Sequence, residues 1–230
     1  EAYISIALGI YKHNLNFPLI SHSGLSLQDF YHPMVANAVK NTFASTTNVI
    51  LLTGPNMSGK STLLKAIGIC AYLANIGFAI PASAGAVPLY DNIAVFINLN
   101  DDLQSGYSHF MSEIMNLKEV VLNARTGSPC LAIFDELFRG TNIDDALEIS
   151  RTTLKGLLNF PDSLFFVSSH LYQLTEMDEV QSGEIAGFYL DCSLKEGTPA
   201  FTYCLKTGWS DIKIGKILFE RENLNELLLL

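Results

Sequence analysis

The segment Gly54-Pro55-Asn56-Met57-Ser58-Gly59-Lys60-Ser61 sets glycines, a lysine and a hydroxyl in the spacing GxxxxGK[ST]. Glycines let such a loop curl until its backbone N–H groups converge on one anion. A helix that starts at the loop adds the favourable end of its dipole. The Lys60 ammonium can then reach the outer phosphates, and the Ser61 hydroxyl is a hard oxygen ligand suited to Mg²⁺. Pro55, Asn56, Met57 and Ser58 supply the backbone of the cradle, and Thr62 follows it into the helix. This is chemistry for a nucleoside triphosphate.

A second constellation is Asp135-Glu136, which closes the apolar run Leu131-Ala132-Ile133-Phe134. Taken alone, the pair fits a strand end meeting solvent as well as it fits a reacting pair. Beside a phosphate loop the two carboxylates divide the labour: Asp135 holds the Mg²⁺ hydration shell, and Glu136 orients or deprotonates the attacking water. Phosphoryl transfer asks the protein chiefly for positioning and charge neutralisation. His170 also stands at a strand end; by spacing alone it is a structural loop histidine sooner than a γ-phosphate sensor. The polar stretch 101–110 reads by spacing as a turn that caps the next helix through Ser108.

The elements that must carry these residues follow from apolar periodicity. Val49-Ile50-Leu51-Leu52 predicts a buried strand ending at Gly54, and Lys60 to about Ile76 predicts a helix with Leu63, Leu64, Ile67 and Ala71 on one face. Residues 78–97, with Pro81, Gly85, Pro88 and Asp91-Asn92, predict short antiparallel strands. Residues 109–124 are amphipathic. Leu131-Phe134 and Leu164-Phe165-Phe166-Val167 predict two further buried strands, and Ile143–Leu158 a helix capped by Asn142 or Asp144. Ile185–Leu190 and Ala200–Leu205 read as strands before a last helix from about Ile212 to Leu228. Alternation of this kind predicts an α/β fold, with a mainly parallel central sheet and helices flanking both faces.

Composition narrows the rest. The chain has 230 residues, enough for one large domain, and is 49% hydrophobic. Its 14 basic against 23 acidic residues leave a net charge of -9, which argues against this segment being the main grip on nucleic-acid phosphates. The cysteines Cys70, Cys130, Cys192 and Cys204 stand far apart, with no CxxC and no histidine at metal-ligand spacing from them, and read as buried reduced thiols of a cytoplasmic protein. No apolar run is long enough to predict a membrane span. The apolar pattern Tyr3-Ile4-Ile6-Ala7-Leu8 at the outset suggests a fragment of a longer protein, in which residues 1–30 form a helix end and a connecting loop.

Four motifs in order, GPNMSGKST at 54–62, DDLQSGYSHFMSE at 101–113, FDELFRGT at 134–141 and SSH at 168–170, resemble the MutS mismatch-repair ATPases over His32 to Gly215. The resemblance implies an ABC-type P-loop NTPase with an antiparallel β subdomain, cofactors ATP and Mg²⁺, and a homodimer with each nucleotide between two subunits. Lys60 and Ser61 would hold phosphates and metal, with Asp135 as the second metal ligand and Glu136 as the hydrolytic carboxylate. Ser108 would be the signature serine that reaches the partner subunit's nucleotide. His170 would be the switch histidine, reversing the reading from spacing. Phe43 and Tyr203 stand where the family stacks rings on adenine.

By the same resemblance residues 1–30 would end a preceding core or lever segment. Residues 31–230 would form the ATPase domain, with a dimer-forming element from about 210. Duplex DNA would be met by domains absent from these residues. The chain departs from the family pattern at His109, at Phe138 in place of glycine, and at Asn142-Ile143 in place of a Ser-Thr pair. Two other roles compete with an ATP-driven repair clamp. One is a nucleotide-gated dimerisation module with little hydrolysis, and the other a MutS-like protein acting on DNA structures other than mismatches. A membrane-transporter nucleotide subunit is disfavoured, because the Leu-Ser-Gly-Gly-Gln signature is missing.

Overall fold

The structure is a computed structural model and describes residues 1–22, 24–97, 109–195, 198–210 and 214–228. Helix α1 (Ala2–Lys12) precedes strands β1 (Leu19–Ser21), β2 (Leu25–Phe30), β3 (Asn41–Ser45) and β4 (Val49–Thr53). Helix α2 (Lys60–Asn75) leads to β5 (Ala84–Pro88) and β6 (Asn92–Phe96). Then come α3 (His109–Arg125), β7 (Cys130–Phe134), α4 (Ile143–Leu157) and β8 (Leu164–Ser168). A 3₁₀ turn (Tyr172–Glu176) and the short α5 (Asp178–Gln181) precede β9 (Ala186–Lys195) and β10 (Thr198–Thr207). Helices α6 (Ile214–Arg221) and α7 (Leu224–Leu227) follow.

Six strands form the central sheet in the order β10-β9-β4-β8-β7-β6, parallel throughout except where β10 returns on β9 as a hairpin. Every residue of β4, β7 and β8 is buried, as parallel strands covered on both faces must be. Successive side chains point to opposite faces. Ile50, Leu52, Leu131, Ile133 and Phe166 accordingly pack with Leu63, Leu64, Ile67 and Ala71 of α2. Leu51, Ala132, Phe134, Phe165 and Val167 pack on the other face with residues of α3 and α4. A leucine, isoleucine, valine or phenylalanine side chain fully buried this way contributes roughly 1.5–3 kcal/mol, so the sheet that carries the site is held by packing on both faces.

A second sheet, β1-β5-β2-β3, covers the α2-side core through Leu25, Leu27, Phe30 and Phe43. It is antiparallel at β2–β3 and β2–β5 but parallel at β1–β5. Three expectations are corrected here. Residues 1–30 are not only helix end and loop, because β1 and β2 lie within them. Residues 78–97 hold two short strands, but only β5 has an antiparallel neighbour, β2 of the small sheet, while β6 pairs in parallel with β7, Ile93 opposite Leu131. The single expected C-terminal helix is interrupted by Asn223, whose φ of 52° is left-handed, so α6 and α7 are separate. The cap of α4 is Asn142, whose side chain accepts from the Asp145 N–H at 2.9 Å.

Candidate functional site

The phosphate loop leaves the C-terminal end of β4 and enters α2 at Lys60. Gly59 caps the helix in a left-handed conformation, φ 96°, and has no side chain to offer the first-turn amides. Those N–H groups therefore remain directed at the loop mouth, the arrangement an anion needs. Met57 also takes a positive φ, 70°, and stands exposed with Asn56, whereas Ser58 is fully buried. Lys60 is only 5% exposed. Its Nζ donates to the Gly54 carbonyl at 2.8 Å and the Pro55 carbonyl at 3.2 Å, folding over its own loop. Burial pushes the ammonium below the ordinary lysine value, against the opposing pull of Glu136 and Asp135.

The acidic pair stands at the matching end of β7, two strands away across β8. Ser61 donates its hydroxyl proton to Asp135 Oδ2. Ser168, at the end of β8, donates to Asp135 Oδ1 at 2.6 Å and accepts the Glu136 N–H at 2.9 Å. Glu136 sits 3.9 Å from the Lys60 ammonium and takes a 3.0 Å bond from Arg139. Its own backbone is left-handed, φ 56°. Thus Lys60, Ser61, Asp135 and Glu136 converge at one end of the sheet, although 74 residues separate Ser61 from Asp135. A hydroxyl and a carboxylate already in contact form the hard-oxygen pair that Mg²⁺ takes when phosphates and water complete its shell. Ser61 and Asp135 fit that ion.

Beyond the loop lies a cleft of about 380 Å³, lined by Tyr31, His32, Val35, Val39, Gly59, Thr62 and Tyr203 among others. Its walls are largely apolar, which suits a flat aromatic base. Tyr203 is half exposed and lies against Gly59, where an added Cβ would stand 3.1 Å from the ring. The residue sits in an irregularity of the β9–β10 hairpin, with φ 58°. Asn41 holds it there: its Nδ2 donates to the Tyr203 carbonyl at 3.0 Å, and its Oδ1 accepts the Leu205 N–H at 2.7 Å. Phe43 is not at this cleft. It is 1% exposed and wedged between Phe166 and Phe188, with ring centroids 5.2 Å from each. No face remains on which a base could stack, and the expectation for Phe43 is corrected.

After Glu136 the chain turns sharply. Phe138 has φ 64° and is buried, edge-on to Phe110 at 6.2 Å. Gly140 passes so close to the start of α3 that a Cβ would lie 2.9 Å from that of Phe110. The loop carrying the hydrolytic candidate thus rests on the helix that begins beside the serine motif. Ser108 and the motif's residues 101–108 lie outside the described residues. His170 is exposed, two residues beyond Ser168 at the same end of the sheet. Sequence reasoning missed Ser168, Asn41 and the 31–39 wall. Ser168 opens the Ser-Ser-His motif and could have been found there, whereas Asn41 has no local signal at all.

Residues 50–220 match the family model for MutS domain V. The chain is similar to three proteins named DNA mismatch repair protein MutS. For Bacillus pumilus (strain SAFR-032) it is 31% identical over 206 residues, 86% of this chain and 24% of that protein. For Macrococcus caseolyticus (strain JCSC5402) the figures are 33% over 181 residues, 75% and 21%. For Desulfitobacterium hafniense (strain Y51) they are 31% over 195 residues, 80% and 22%. The chain spans less than a quarter of the length of these relatives. Among the described residues, no helix is long and apolar enough to cross a membrane.

Proposed function

The chain belongs to the MutS family as its C-terminal ATPase domain, and from that premise we propose that it hydrolyses ATP with Mg²⁺ and serves mismatch repair. The observation that carries this reading is the meeting of Lys60, Ser61, Asp135 and Glu136 at one end of the sheet. The uncapped start of α2 and the Lys60 ammonium would receive the β- and γ-phosphates, and Ser61 with Asp135 would hold Mg²⁺. When bound, the ion neutralises phosphate charge and polarises the reacting phosphoryl group. Glu136, fixed from two sides by Lys60 and Arg139, would orient the attacking water and accept its proton. Tyr203 would lie on the adenine. His170, exposed at the same edge, would face the γ-phosphate.

The ABC-type arrangement is part of the same proposal. Ser108 would meet the nucleotide of a second copy, and the segment from about 210 would join the two subunits. The 1–30 segment would connect to a preceding core or lever. A net charge of -9 favours contact with duplex DNA through other parts of the full-length protein, in the cytoplasm.

Fluorescent ATP binding and phosphate release test the reading together. Lys60→Ala is expected to lose nucleotide binding. Glu136→Ala should keep it while turnover falls roughly 10²- to 10⁴-fold, the usual worth of a general base. Native turnover in Glu136→Ala would overturn the assignment of the carboxylate. Undiminished binding in Lys60→Ala would overturn the site.

A further inference from the structure

We infer that Ser168 is a positioning residue that sets Asp135 and Glu136 in register for the magnesium–triphosphate, an inference that rests on the ATPase reading above. Ser168 is completely buried at the end of β8, one step past the pairing of Phe134 with Val167. Its hydroxyl lies between the Asp135 carboxylate, 2.6 Å away, and the Glu136 amide, 2.9 Å away. The direction of both bonds is forced. An amide can only donate, so the Ser168 oxygen accepts from Glu136 and its lone proton goes to Asp135.

Each partner needs this bond for its own reason. Glu136 has turned into the left-handed region, φ 56°, so its N–H has left the strand ladder and finds its acceptor in Ser168. Asp135 is held at both oxygens, by Ser61 from the phosphate loop and by Ser168 from the neighbouring strand. The Ser168 bond occupies Oδ1 and so directs Oδ2 toward Ser61, the partner ligand for Mg²⁺. One hydroxyl therefore fixes the rotation of the metal-side carboxylate and the peptide that launches the hydrolytic one. Groups that orient a metal ligand from behind typically change metal affinity or activity roughly 10- to 100-fold when removed.

The test uses the full chain and Ser168→Ala, which removes the hydroxyl without adding bulk, with Ser168→Thr as the variant that restores it. A fluorescent ADP reports the Mg²⁺ concentration at half-saturation, and binding in EDTA reports the metal-free site. In Ser168→Ala, half-saturation is expected to rise about tenfold or more and kcat to fall by a similar factor. KM for ATP and binding in EDTA should stay near native, because Lys60 and the loop amides are untouched. Ser168→Thr should recover most of both losses. Mg²⁺ half-saturation within twofold of native overturns the inference. So does an equal loss in EDTA, or a Thr variant of native Tm that stays as impaired as Ala. Failure of the ATPase reading looks different: the native chain itself would show no Mg²⁺-dependent binding.

Discussion

The Tyr203 ring closes over Gly59, so tightly that a single methyl group there would stand 3.1 Å from its Cδ1. The irregular stretch of β10 and the phosphate loop thereby form two sides of one cleft, and the glycine is required twice, for its φ of 96° and for this contact.

Tyr203 should therefore supply the platform for the base. Stacking of this kind is worth about 1–3 kcal/mol when truncated to alanine, so Tyr203→Ala should weaken ATP binding by roughly 5- to 150-fold while Tyr203→Phe stays near native. Asn41→Ala, which frees the Tyr203 backbone without touching the cleft face of the ring, should show a smaller loss in the same direction. Titration with a fluorescent ATP measures all three. Native affinity in Tyr203→Ala would place the base elsewhere.

Phe138 is an aromatic residue in a backbone conformation that glycine adopts freely. Its left-handed φ costs about 1–2 kcal/mol, but removing a buried phenylalanine costs about 3–5 kcal/mol. Lost packing outweighs the relieved backbone. Phe138→Gly should therefore lower stability by roughly 1–4 kcal/mol, visible as a lower Tm by calorimetry. A higher Tm would mean that the Phe110 contact contributes little.

Lys60 carries a lowered pKa because it is buried, and bound phosphates would favour its charged form. Below that lowered pKa the lysine is already charged, and nucleotide affinity gains nothing from a further fall in pH. Above it, binding must first recharge the amine, so affinity should decline as pH rises, starting below the ordinary lysine value of 10.5. ADP titrations from neutral to alkaline pH measure this. Lys60→Arg, whose guanidinium stays charged, should flatten the alkaline decline.

The thiols should separate by environment. Cys70 is buried in the α2-side core, which pushes its pKa up to about 12, and burial also raises Cys130 and Cys192. A raised pKa removes the reactive thiolate. With a thiol-reactive dye at mildly alkaline pH, Cys204, the least buried of the four, should react first in the folded chain, and all four should react in denaturant. Rapid labelling of Cys70 under native conditions would contradict the packing around α2.

The parts of the molecule that announce themselves in the sequence are those whose cause is local. Strand β4, the phosphate loop and α2 are consecutive, and their glycines, apolar spacing and Lys60-Ser61 pair act within one short stretch of chain. The buried runs of β7 and β8 are equally local, and so are Asp135-Glu136 and the Asn142 cap. What the linear pattern left open were partners distant along the chain. The apolar pieces of 78–97 look alike, yet β5 and β6 enter different sheets, because pairing depends on which neighbour offers a free edge. Phe43 and Tyr203 are both rings near the loop by resemblance, and only packing separates them: one fills the space between Phe166 and Phe188, the other caps Gly59. Asn41 lies 162 residues from Tyr203, and Ser168 lies 33 from Asp135. A hydrogen bond across such a separation leaves no periodicity behind, since folding alone brings its two ends together.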